Sequence, residues 1–282
     1  MPELAPTELS GAGLARAAAL LCEVFPAAPP VTPDYLRWAY AENPMGPAVA
    51  FDAREAGELV AHLAGRALVA VLEGREQRGL LVHHAATRAS QRGKGLFGAL
   101  VEAIAEAGCA RGCDFLIAVA NAQSAPLFVA RHAFQALGPL DVWLGLGLPP
   151  APVAGARSGF EPLWSEAALA WRLARPGSDY RVRRTGELAQ VVAPAGRLGA
   201  WVELGWLPAR TLPPSLRALG PGPKLGASIG LGARRRARAW PALPVPRRAR
   251  PSPLELVYRD LRGRERLDRS SCAFRALDFD AW

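Results

Sequence analysis

TRASQRGKGLFGALVEAIAEAG, the stretch from Thr87 to Gly108, joins a glycine-rich loop to an apolar segment of helical character. The core of the loop, Gly93–Gly98, reads G-x-G-x-x-G. Glycines allow the backbone to approach a ligand closely, and the N-terminus of a following helix adds a partial positive charge. Arg92 and Lys94 bring two further positive charges to the same place. The stretch therefore predicts a loop that binds phosphate.

The G-x-G-x-x-G pattern also occurs in dinucleotide-binding folds, but the surroundings of this loop argue against such a site. Fingerprint glycines follow their strand almost directly, whereas here the apolar strand ends near Ala86, well before Gly93. The fingerprint also needs an acidic residue at the end of the next strand, and Asp114 stands at its start instead. The loop lies after several short strands rather than after the first one. A Walker sequence, G-x-x-x-x-G-K-[ST], is absent as well.

The rest of the first half alternates short strands with helices, which predicts a mixed α/β fold with a central sheet flanked by helices. Helices are predicted from capping signals and apolar runs, and strands from short apolar runs between turn residues. The predicted helices are Thr7–Phe25, Asp34–Glu42, Leu96–Arg111 and Asn121–His132. The predicted strands are Ala48–Asp52, Glu58–Ala67, Ala67–Glu73, Gly79–Thr87, Asp114–Ala120 and Phe134–Leu146.

A stretch rich in Pro, Gly and Ala, residues 147–158, is predicted to be a linker. It separates a first domain, residues 1–146, from a smaller C-terminal α/β unit, residues 159–282. Strand-like pieces of the second unit lie at Ala200–Trp206, Leu254–Tyr258 and Phe274–Phe279.

A short motif recurs in the two halves. Leu36–Ala41 and Leu169–Ala174 are both short helical segments with a central Trp, and each is followed by Pro and Gly. A duplication whose second copy has diverged would explain this recurrence. Chance similarity in a chain rich in Ala, Arg and Leu would explain it as well. The second half contains no counterpart of the loop Gln91–Gly98.

The composition is that of a globular protein with an excess of arginine, since 34 Lys+Arg against 25 Asp+Glu give a formal net charge of +9. Much of the excess lies in Ala233–Arg250, which is a candidate nucleic-acid patch. No nucleic-acid motif accompanies this Pro-rich stretch, so a solvated loop is favoured and nucleic acid is not expected as a partner. The four cysteines lack the spacing of a zinc site, and no metal is predicted. With no apolar run long enough to span a bilayer and no secretory signal, we expect a cytoplasmic protein without membrane association.

The loop residues resemble a known family. Arg92-Gly93-Lys94-Gly95-Leu96 matches the R/Q-x-x-G-x-G/A signature of the GNAT acyl-CoA N-acyltransferases. The flanking strands and helices, and Asn121-x-x-Ser124 at the start of a helix, are similar to the core of that fold. Asp34–Gly46, with Trp-x-Tyr and Asn-Pro-x-Gly, looks like a bacterial subgroup. The resemblance covers about residues 1 to 146 and implies a GNAT-like fold there.

The resemblance implies acetyl-CoA, or another acyl-CoA, as co-substrate. Its pantetheine arm is expected between the strands Leu80–Thr87 and Asp114–Ala120, its pyrophosphate on the N–H groups of Arg92–Phe97, and its thioester near Asn121 and Ser124. The full set of expected cofactor-binding residues is Leu81, Val82, His83, Ala85, Ala86, Thr87, Arg92, Gly93, Lys94, Gly95, Leu96, Phe97, Asn121, Ser124 and Phe128.

Two residues depart from the family pattern. Phe97 stands at the last small position of the signature, where its N–H group still serves. Phe128 occupies the place where many members carry the Tyr that protonates the leaving thiolate, which a phenyl ring does not do.

His84 is the candidate catalytic residue, since it aligns with a polar position near the acceptor; the alternative is a hydrogen-bonded sheet histidine. Adjacent strand residues face opposite sides, so at most one of His83 and His84 is expected in the cleft. His62 and His132 are interpreted as structural or exposed. Trp38, Tyr40 and Trp143 are candidate acceptor-pocket residues, with core packing as the alternative.

The leading functional hypothesis is transfer of an acetyl or other acyl group from acyl-CoA to a primary amine of a small molecule or peptide, by direct attack. A second hypothesis is a non-catalytic acyl-CoA-binding module, which Phe128 favours. A third is a transferase of two tandem GNAT-like halves that uses aminoacyl-tRNA, which the basic stretch would suit. The sequence identifies neither the acceptor nor the oligomeric state.

Overall fold

The structure is a computed structural model that describes residues 2–151, 159–195, 199–220, 222–231, 240–250, 252–263 and 266–279. Its α-helices are α1 Gly11–Val24, α2 Pro33–Tyr40, α3 Leu96–Ala110, α4 Ser124–Arg131 and α5 Glu166–Leu173. Its strands are β1 Glu3–Pro6, β2 Val49–Glu55, β3 Glu58–Leu72, β4 Arg75–Thr87, β5 Phe115–Ala120, β6 Gln135–Pro139, β7 Asp141–Leu146, β8 Phe160–Leu163, β9 Arg181–Thr185, β10 Leu188–Ala195, β11 Ala200–Pro208, β12 Arg217–Ala218, β13 Leu225–Leu231, β14 Ala242–Pro244, β15 Glu255–Asp260 and β16 Phe274–Arg275.

The chain forms two compact units, and neither is continuous in sequence. The first contains residues 1–69, 77–136 and 257–266, and the second contains residues 70–76, 137–256 and 267–282. These divisions differ from the predicted boundary at residue 146 because strand pairing does not follow chain order. Strand β7 pairs with β13 of the second unit, whereas β15 lies beside β5 of the first.

The first unit is built on a mixed sheet with the strand order β1-β2-β3-β4-β5-β15. Strands β1, β2 and β3 are antiparallel neighbours, and β4 and β5 are parallel. Helix α3 buries its apolar face, Leu100, Val101 and Ile104, in the core of this unit. An added Cβ on Gly65 of β3 would lie 3.2 Å from Ile104, so helix and sheet approach closely. Each buried aliphatic side chain contributes about 1.5–3 kcal/mol, which makes α3 a firm support for the loop before it.

The parallel pair β4 and β5 is joined at one end only. Gly79–Leu81 pair with Phe115–Ile117, while β4 continues to Thr87 and β5 to Ala120. The two strands therefore part at their C-terminal ends. A split between these two strands is what the family resemblance implies.

The second unit has a mixed sheet of its own, with the strand order β12-β9-β10-β11-β13-β7-β14. Strands β9, β10 and β11 are antiparallel neighbours, and β11 and β13 are parallel. Between β11 and β13, the described residues 209–220 and 222–224 contain no α-helix. Within those residues the second unit has no counterpart of the Gly-rich loop and α3.

The mixed α/β class is confirmed, and most elements lie where the sequence predicts them. The helix predicted at Thr7–Phe25 begins only at Gly11, because the pairing of Glu3–Pro6 with β2 continues at Thr7, whose N–H donates to the Ala50 carbonyl at 2.8 Å. The two strands predicted to meet at Ala67 are one continuous strand, β3. The predicted strand Phe274–Phe279 is reduced to Phe274–Arg275.

Two stretches singled out in the sequence are described only in part. In the predicted linker, Leu148 is buried and the Pro149 carbonyl accepts a hydrogen bond from Gln190, while residues 152–158 lie outside the described residues. Residues 233–239 of the basic stretch also lie outside them. Among the described residues, no helix is long and apolar enough to cross a membrane.

Candidate functional site

The Gly-rich loop takes a backbone path that glycine favours. Gly93 and Gly95 have φ values of 79° and 80°, in the left-handed region, and Gly95 directly precedes α3. The first N–H groups of any helix lack intrahelical acceptors, so the start of α3 offers donors to an anion. Buried Gln91 holds the loop, since it donates to the Glu55 carboxylate and accepts from Lys94 Nζ at 2.7 Å.

The third glycine of the pattern, Gly98, is required for packing. A Cβ on Gly98 would lie 2.8 Å from the ring of His132. That ring is held in place because its Nδ1 lies 2.8 Å from Glu102 Oε1, and Arg259 donates to the same carboxylate at 3.0 Å. Gly98 therefore serves packing between α3 and α4 rather than the backbone path of the loop.

A cavity of about 560 Å³ opens where β4 and β5 part. Nine of the predicted cofactor-binding residues line it: Ala85, Thr87, Arg92, Gly93, Gly95, Leu96, Phe97, Asn121 and Ser124. The cavity is also lined by Val24 and Phe25 at the end of α1 and by Leu127, Arg131 and His132 of α4. Nothing in the sequence pattern indicated this second group, because its position depends on how α1 and α4 pack.

Asn121 and Ser124 form a hydrogen-bonded turn at the edge of the cavity. Asn121 Oδ1 accepts from the N–H groups of Gln123 and Ser124, both at 2.9 Å, and from Ser124 Oγ at 3.1 Å. The Asn121 oxygen is thus used in starting α4. Its amide nitrogen is the donor that remains for a ligand.

The other predicted cofactor-binding residues lie apart from the cavity lining. Leu81, Val82 and Ala86 are buried in the sheet, and Lys94 is exposed beside Gln91. Phe128 is buried, with its ring centroid 5.0 Å from Phe97 and 4.6 Å from Phe134. The position for which the resemblance implies a Tyr in related sequences is therefore an apolar core position here.

Strand β4 is irregular at the two histidines. His84 has a φ of 55°, in the left-handed region, which breaks the alternation of side chains along the strand. As a result the His83 and His84 rings lie together, with centroids 4.1 Å apart, and both face the ring of Tyr40. The expectation that these histidines point to opposite sides is wrong for this reason.

His84 is one member of a chain of hydrogen-bonded side chains that crosses the first unit. Its Nε2 lies 3.2 Å from the hydroxyl of Tyr35, and its Nδ1 lies 2.8 Å from the hydroxyl of Tyr40. The same Tyr40 hydroxyl is 2.9 Å from His62 Nε2. His62 Nδ1 is in turn 2.9 Å from Asp52 Oδ1. We call these five residues, Tyr35, His84, Tyr40, His62 and Asp52, the polar chain.

Burial and hydrogen bonding set the charge states around the polar chain. Burial disfavours the charged form of Asp52, but hydrogen bonds from His62, Thr7 and Arg54 outweigh it and hold the pKa of Asp52 below its usual value. Burial raises the pKa of Tyr40 well above its usual value, so this hydroxyl keeps its proton. Burial also holds the pKa of His83 well below its usual value, with contributions from the charges of His84 and Arg66.

Sequence reasoning placed Tyr40 and His84 near the acceptor but missed the connection between them. His62, interpreted as structural or exposed, is fully buried inside the polar chain. Asp52 and His62 meet because they are direct cross-strand partners of β2 and β3, a register that local sequence does not show. Trp38 is buried beside Tyr35, with ring centroids 5.6 Å apart. Trp143 lies in the second unit, on β7 opposite Ser228.

Metal-ligating side chains are not clustered in the described part of the chain. No group of three or more His, Cys, Asp or Glu residues there is arranged to hold an ion. The four cysteines are free thiols, with Cys113 and Cys272 buried and Cys109 exposed.

Comparison with known proteins identifies the fold. No family model matches the sequence, and no curated protein matches it. A GCN5-related N-acetyltransferase from Kribbella flavida has a TM-score of 0.63, with 92% of this chain and 71% of that chain covered at 9% identity. One from Anabaena variabilis ATCC 29413 has a TM-score of 0.60, with 92% and 73% covered at 11% identity. A protein from Enterococcus faecalis V583, described as a probable N-acyltransferase, has a TM-score of 0.58, with 93% and 73% covered at 8% identity. The GNAT-like fold predicted from the loop is thereby confirmed.

Proposed function

We propose that this chain is an acyl-CoA-dependent N-acyltransferase, with acetyl-CoA as the simplest donor and a primary amine of a small molecule or peptide as acceptor. The observation that carries the proposal is the cavity at the open end of β4 and β5, lined by the Gly-rich loop. Its volume lies in the range of small-molecule sites, about 300–1,000 Å³.

The cavity offers different chemistry along its wall. Backbone N–H groups at the start of α3 and the exposed Arg92 guanidinium suit the pyrophosphate of CoA. Apolar Leu96 and Phe97 beside them suit the alkyl parts of the pantetheine arm. Ala85 and Thr87 of β4 and Asn121 after β5 bring polar backbone and side-chain groups to the place where the strands part. Together these groups match a long ligand with a charged end and an amide-bearing arm.

The reaction that this arrangement supports is direct aminolysis of a thioester. A neutral amine nitrogen attacks the acyl carbon, a C–N bond forms, the C–S bond breaks, and CoA leaves as a thiolate. The nitrogen is left with a surplus proton, which a base must accept. Phe128 has no proton to give to the thiolate, so the leaving group departs without help from that position.

Acetyl-CoA and free CoA should raise the unfolding temperature of the protein. A ligand present at 100 times its dissociation constant adds about 2.7 kcal/mol of stability. Arg92→Ala should weaken CoA affinity about 10- to 150-fold, because the variant loses a charge-assisted contact worth about 1.5–3 kcal/mol. Calorimetric or fluorimetric melting over a range of CoA concentrations measures both effects.

Arg210→Ala is the matched control, since Arg210 is exposed and does not line the cavity. It should bind CoA as the wild type does. A folded wild-type protein whose melting temperature is the same with and without both ligands would contradict the proposal.

A second candidate function is acyl-CoA binding without transfer. The apolar burial of Phe128 favours it, because the position that often supplies the acid is occupied by a core side chain. This alternative predicts the same stabilisation by CoA, but no formation of acylated product with any member of a panel of primary amines.

A further inference from the structure

We propose that the polar chain is a proton relay that draws the proton of the acceptor amine from His84, through Tyr40, to His62 beside Asp52. The inference rests on the proposed function, and it assigns residues that sequence comparison with the GNAT signature does not supply. In it His84 is the catalytic residue, and Tyr40, His62 and Asp52 are positioning residues that act through it.

When His62 is neutral, the hydrogen bonds of the polar chain run in one direction. A carboxylate only accepts, so His62 donates through Nδ1–H to Asp52, and neutral His62 then accepts at Nε2. The single Tyr40 proton must go to that nitrogen, 2.9 Å away. The Tyr40 oxygen therefore accepts from His84 Nδ1–H at 2.8 Å. This leaves Nε2 of His84 as an acceptor, facing the hydroxyl of Tyr35 at 3.2 Å.

Solvent exposure falls from the outer end of the polar chain to its inner end, as a relay that takes up a proton at one end requires. Asp52, His62 and Tyr40 are each 0% exposed, whereas His84 and Tyr35 are half-buried. Ala85, the residue after His84, lines the cavity. His84 is not itself among the residues that line the cavity, so in this proposal the amine proton reaches it at its half-buried ring, one residue behind the cavity wall, while the inner members have no direct exchange with solvent.

Other groups packed against the polar chain favour a single added charge at its inner end. Thr7, directly after β1, donates to Asp52 Oδ1 at 2.7 Å, and Arg54 of β2 lies 3.3 Å from Asp52 Oδ2. On β3 and β4, the Arg66 cation acts on neutral His83, whose ring centroid lies 4.1 Å from that of His84, and α2 contributes the Tyr35 and Tyr40 hydroxyls. Cations near the outer histidines disfavour a charge there, and the Asp52 carboxylate favours it on His62.

The transfer balances over three moves. The amine proton binds His84 Nε2, and the Tyr35 hydroxyl, which donated to that nitrogen, turns to accept from the new Nε2–H. The Nδ1 proton of His84 moves to the Tyr40 oxygen, and the original Tyr40 proton moves to His62 Nε2. His84 and Tyr40 end neutral, and His62 ends as an imidazolium paired with the Asp52 carboxylate. No redox change is involved. The reverse moves return the proton to solvent after the acyl group has been transferred.

Imidazole ¹⁵N NMR of the whole protein tests the relay directly, because it distinguishes the two neutral tautomers from the cation. At high pH we expect Nδ1–H tautomers for both His84 and His62. As the pH falls, His62 should become the imidazolium while His84 changes to the Nε2–H tautomer, in one shared step. In Tyr40→Phe the step should separate, with His84 itself becoming the cation. Wild-type protein in which His84 becomes the cation while His62 stays neutral would overturn the proposal.

Kinetics with an amine acceptor provide the second test. Tyr40→Phe and Asp52→Asn should lower kcat roughly 100-fold, the lower end of general-base effects, with KM for acetyl-CoA unchanged. Since the base must be neutral, the rate falls as pH falls, and Asp52→Asn should move this decline to lower pH because it removes the charge that favours protonation. Wild-type kcat and pH profiles in both variants would overturn the relay.

Tyr258→Phe is the matched control, because it removes a buried hydroxyl of the first unit that lies outside the polar chain. CoA-induced stabilisation, measured on the same samples, shows that a variant is folded and binds its donor. If wild-type protein binds CoA but acylates no amine, the proposed function fails, and the shared NMR step alone then decides whether the proton path exists.

Discussion

Two buried aspartates of this chain have pKa values displaced in opposite directions. The hydrogen bonds that His62, Thr7 and Arg54 donate to Asp52 more than offset its burial and lower its pKa. Asp278 receives hydrogen bonds from Trp164 Nε1 at 2.9 Å and from the Arg275 N–H at 2.6 Å, yet burial raises its pKa to about 6. Burial is the largest effect at both sites. At Asp52 the hydrogen bonds from His62, Thr7 and Arg54 outweigh it, whereas at Asp278 the Arg275 charge and two neutral N–H donors offset it only in part.

Asp278 should make the stability of the protein depend on pH. An unfolded Asp has a pKa near 3.9, so the folded state binds this proton more tightly and stability falls as pH rises from about 4 through about 6. The loss is about 3 kcal/mol at most, from a shift of about two units. Urea unfolding of wild type and Asp278→Asn between pH 4.5 and 8 should show this decline in the wild type only.

An Asn side chain at position 278 still has one oxygen, which can accept the hydrogen bond from Trp164 Nε1. It has an NH2 group in place of the second oxygen, so the hydrogen bond from the Arg275 N–H is lost. The variant should therefore be less stable than wild type at pH 4.5 and should close the gap toward pH 8. Asp179→Asn, at an exposed site of the same unit, should keep the wild-type slope. A wild-type slope in Asp278→Asn would show that another group titrates.

At the scale of elements, strands β4 and β5 are hydrogen-bonded to each other at the Gly79 end and separate at the end that borders the cavity. The ring of Phe115 lies over Gly79, where an added Cβ would come within 2.4 Å of ring carbons. Phe115 is fully buried and packs on the ring of Tyr258, with centroids 5.8 Å apart, so it has no room to move. Gly79→Ala should cost about 1–3 kcal/mol or more of unfolding free energy, as overpacked cores do.

Chemical denaturation measures the effect of Gly79→Ala, and Gly11→Ala is its control. A Cβ on Gly11 meets nothing within 4 Å, so that substitution should leave stability unchanged or slightly raised. Equal stability of the two variants would mean that the closed end of the pair is not tightly packed. The same measurement with CoA shows whether strain at the closed end reaches the cavity.

The elements that the sequence predicts well are those whose signals are local. The loop Gln91–Gly98 and helix α3 are encoded by glycines and a continuous apolar run. Helix α2 begins at Pro33 after Thr32, whose hydroxyl accepts from the Tyr35 N–H at 3.1 Å, which is a local cap. The sequence also predicts much of the cavity lining, because these residues belong to the same loop or to the strand ends beside it.

The features that the sequence does not predict depend on distant partners. Thr7 reads as a helix cap, but its hydroxyl donates to Asp52, forty-five positions away. The polar chain needs the β2–β3 register that sets Asp52 opposite His62. It also needs the irregular backbone at His84, and no glycine or other turn residue at that position indicates this irregularity in the sequence. The alternation expected along β4 therefore fails at His83 and His84, while the catalytic role of His84 stays a prediction.

At the scale of the whole molecule, the two sheets repeat one plan. In each, three consecutive strands lie side by side and the last pairs in parallel with a later strand: β2-β3-β4 with β5, and β9-β10-β11 with β13. The next neighbour in each sheet comes from the other half of the sequence, β15 in the first and β7 in the second. This plan supports the duplication hypothesis beyond the echo of Leu36–Ala41 in Leu169–Ala174. Without a second Gly-rich loop in its described residues, the second copy would have kept the sheet and lost the phosphate site.

The exchange of β15 predicts that residues 1–146 do not fold stably alone. They lack Val257 and Tyr258, which are buried in the first unit, and they leave the edge of β5 unpaired. Losing two such side chains costs roughly 3–5 kcal/mol or more, against a net stability of about 5–15 kcal/mol for a typical domain. Circular dichroism and urea unfolding of the fragment should show little cooperative structure.

A control chain carries residues 252–263 on a flexible linker behind residue 136. It should unfold cooperatively and bind CoA, and the same chain with Tyr258→Asp should do neither. A fragment 1–146 as stable as the full protein would mean that β15 is dispensable to the first sheet, and that the sequence boundary marks an independent domain.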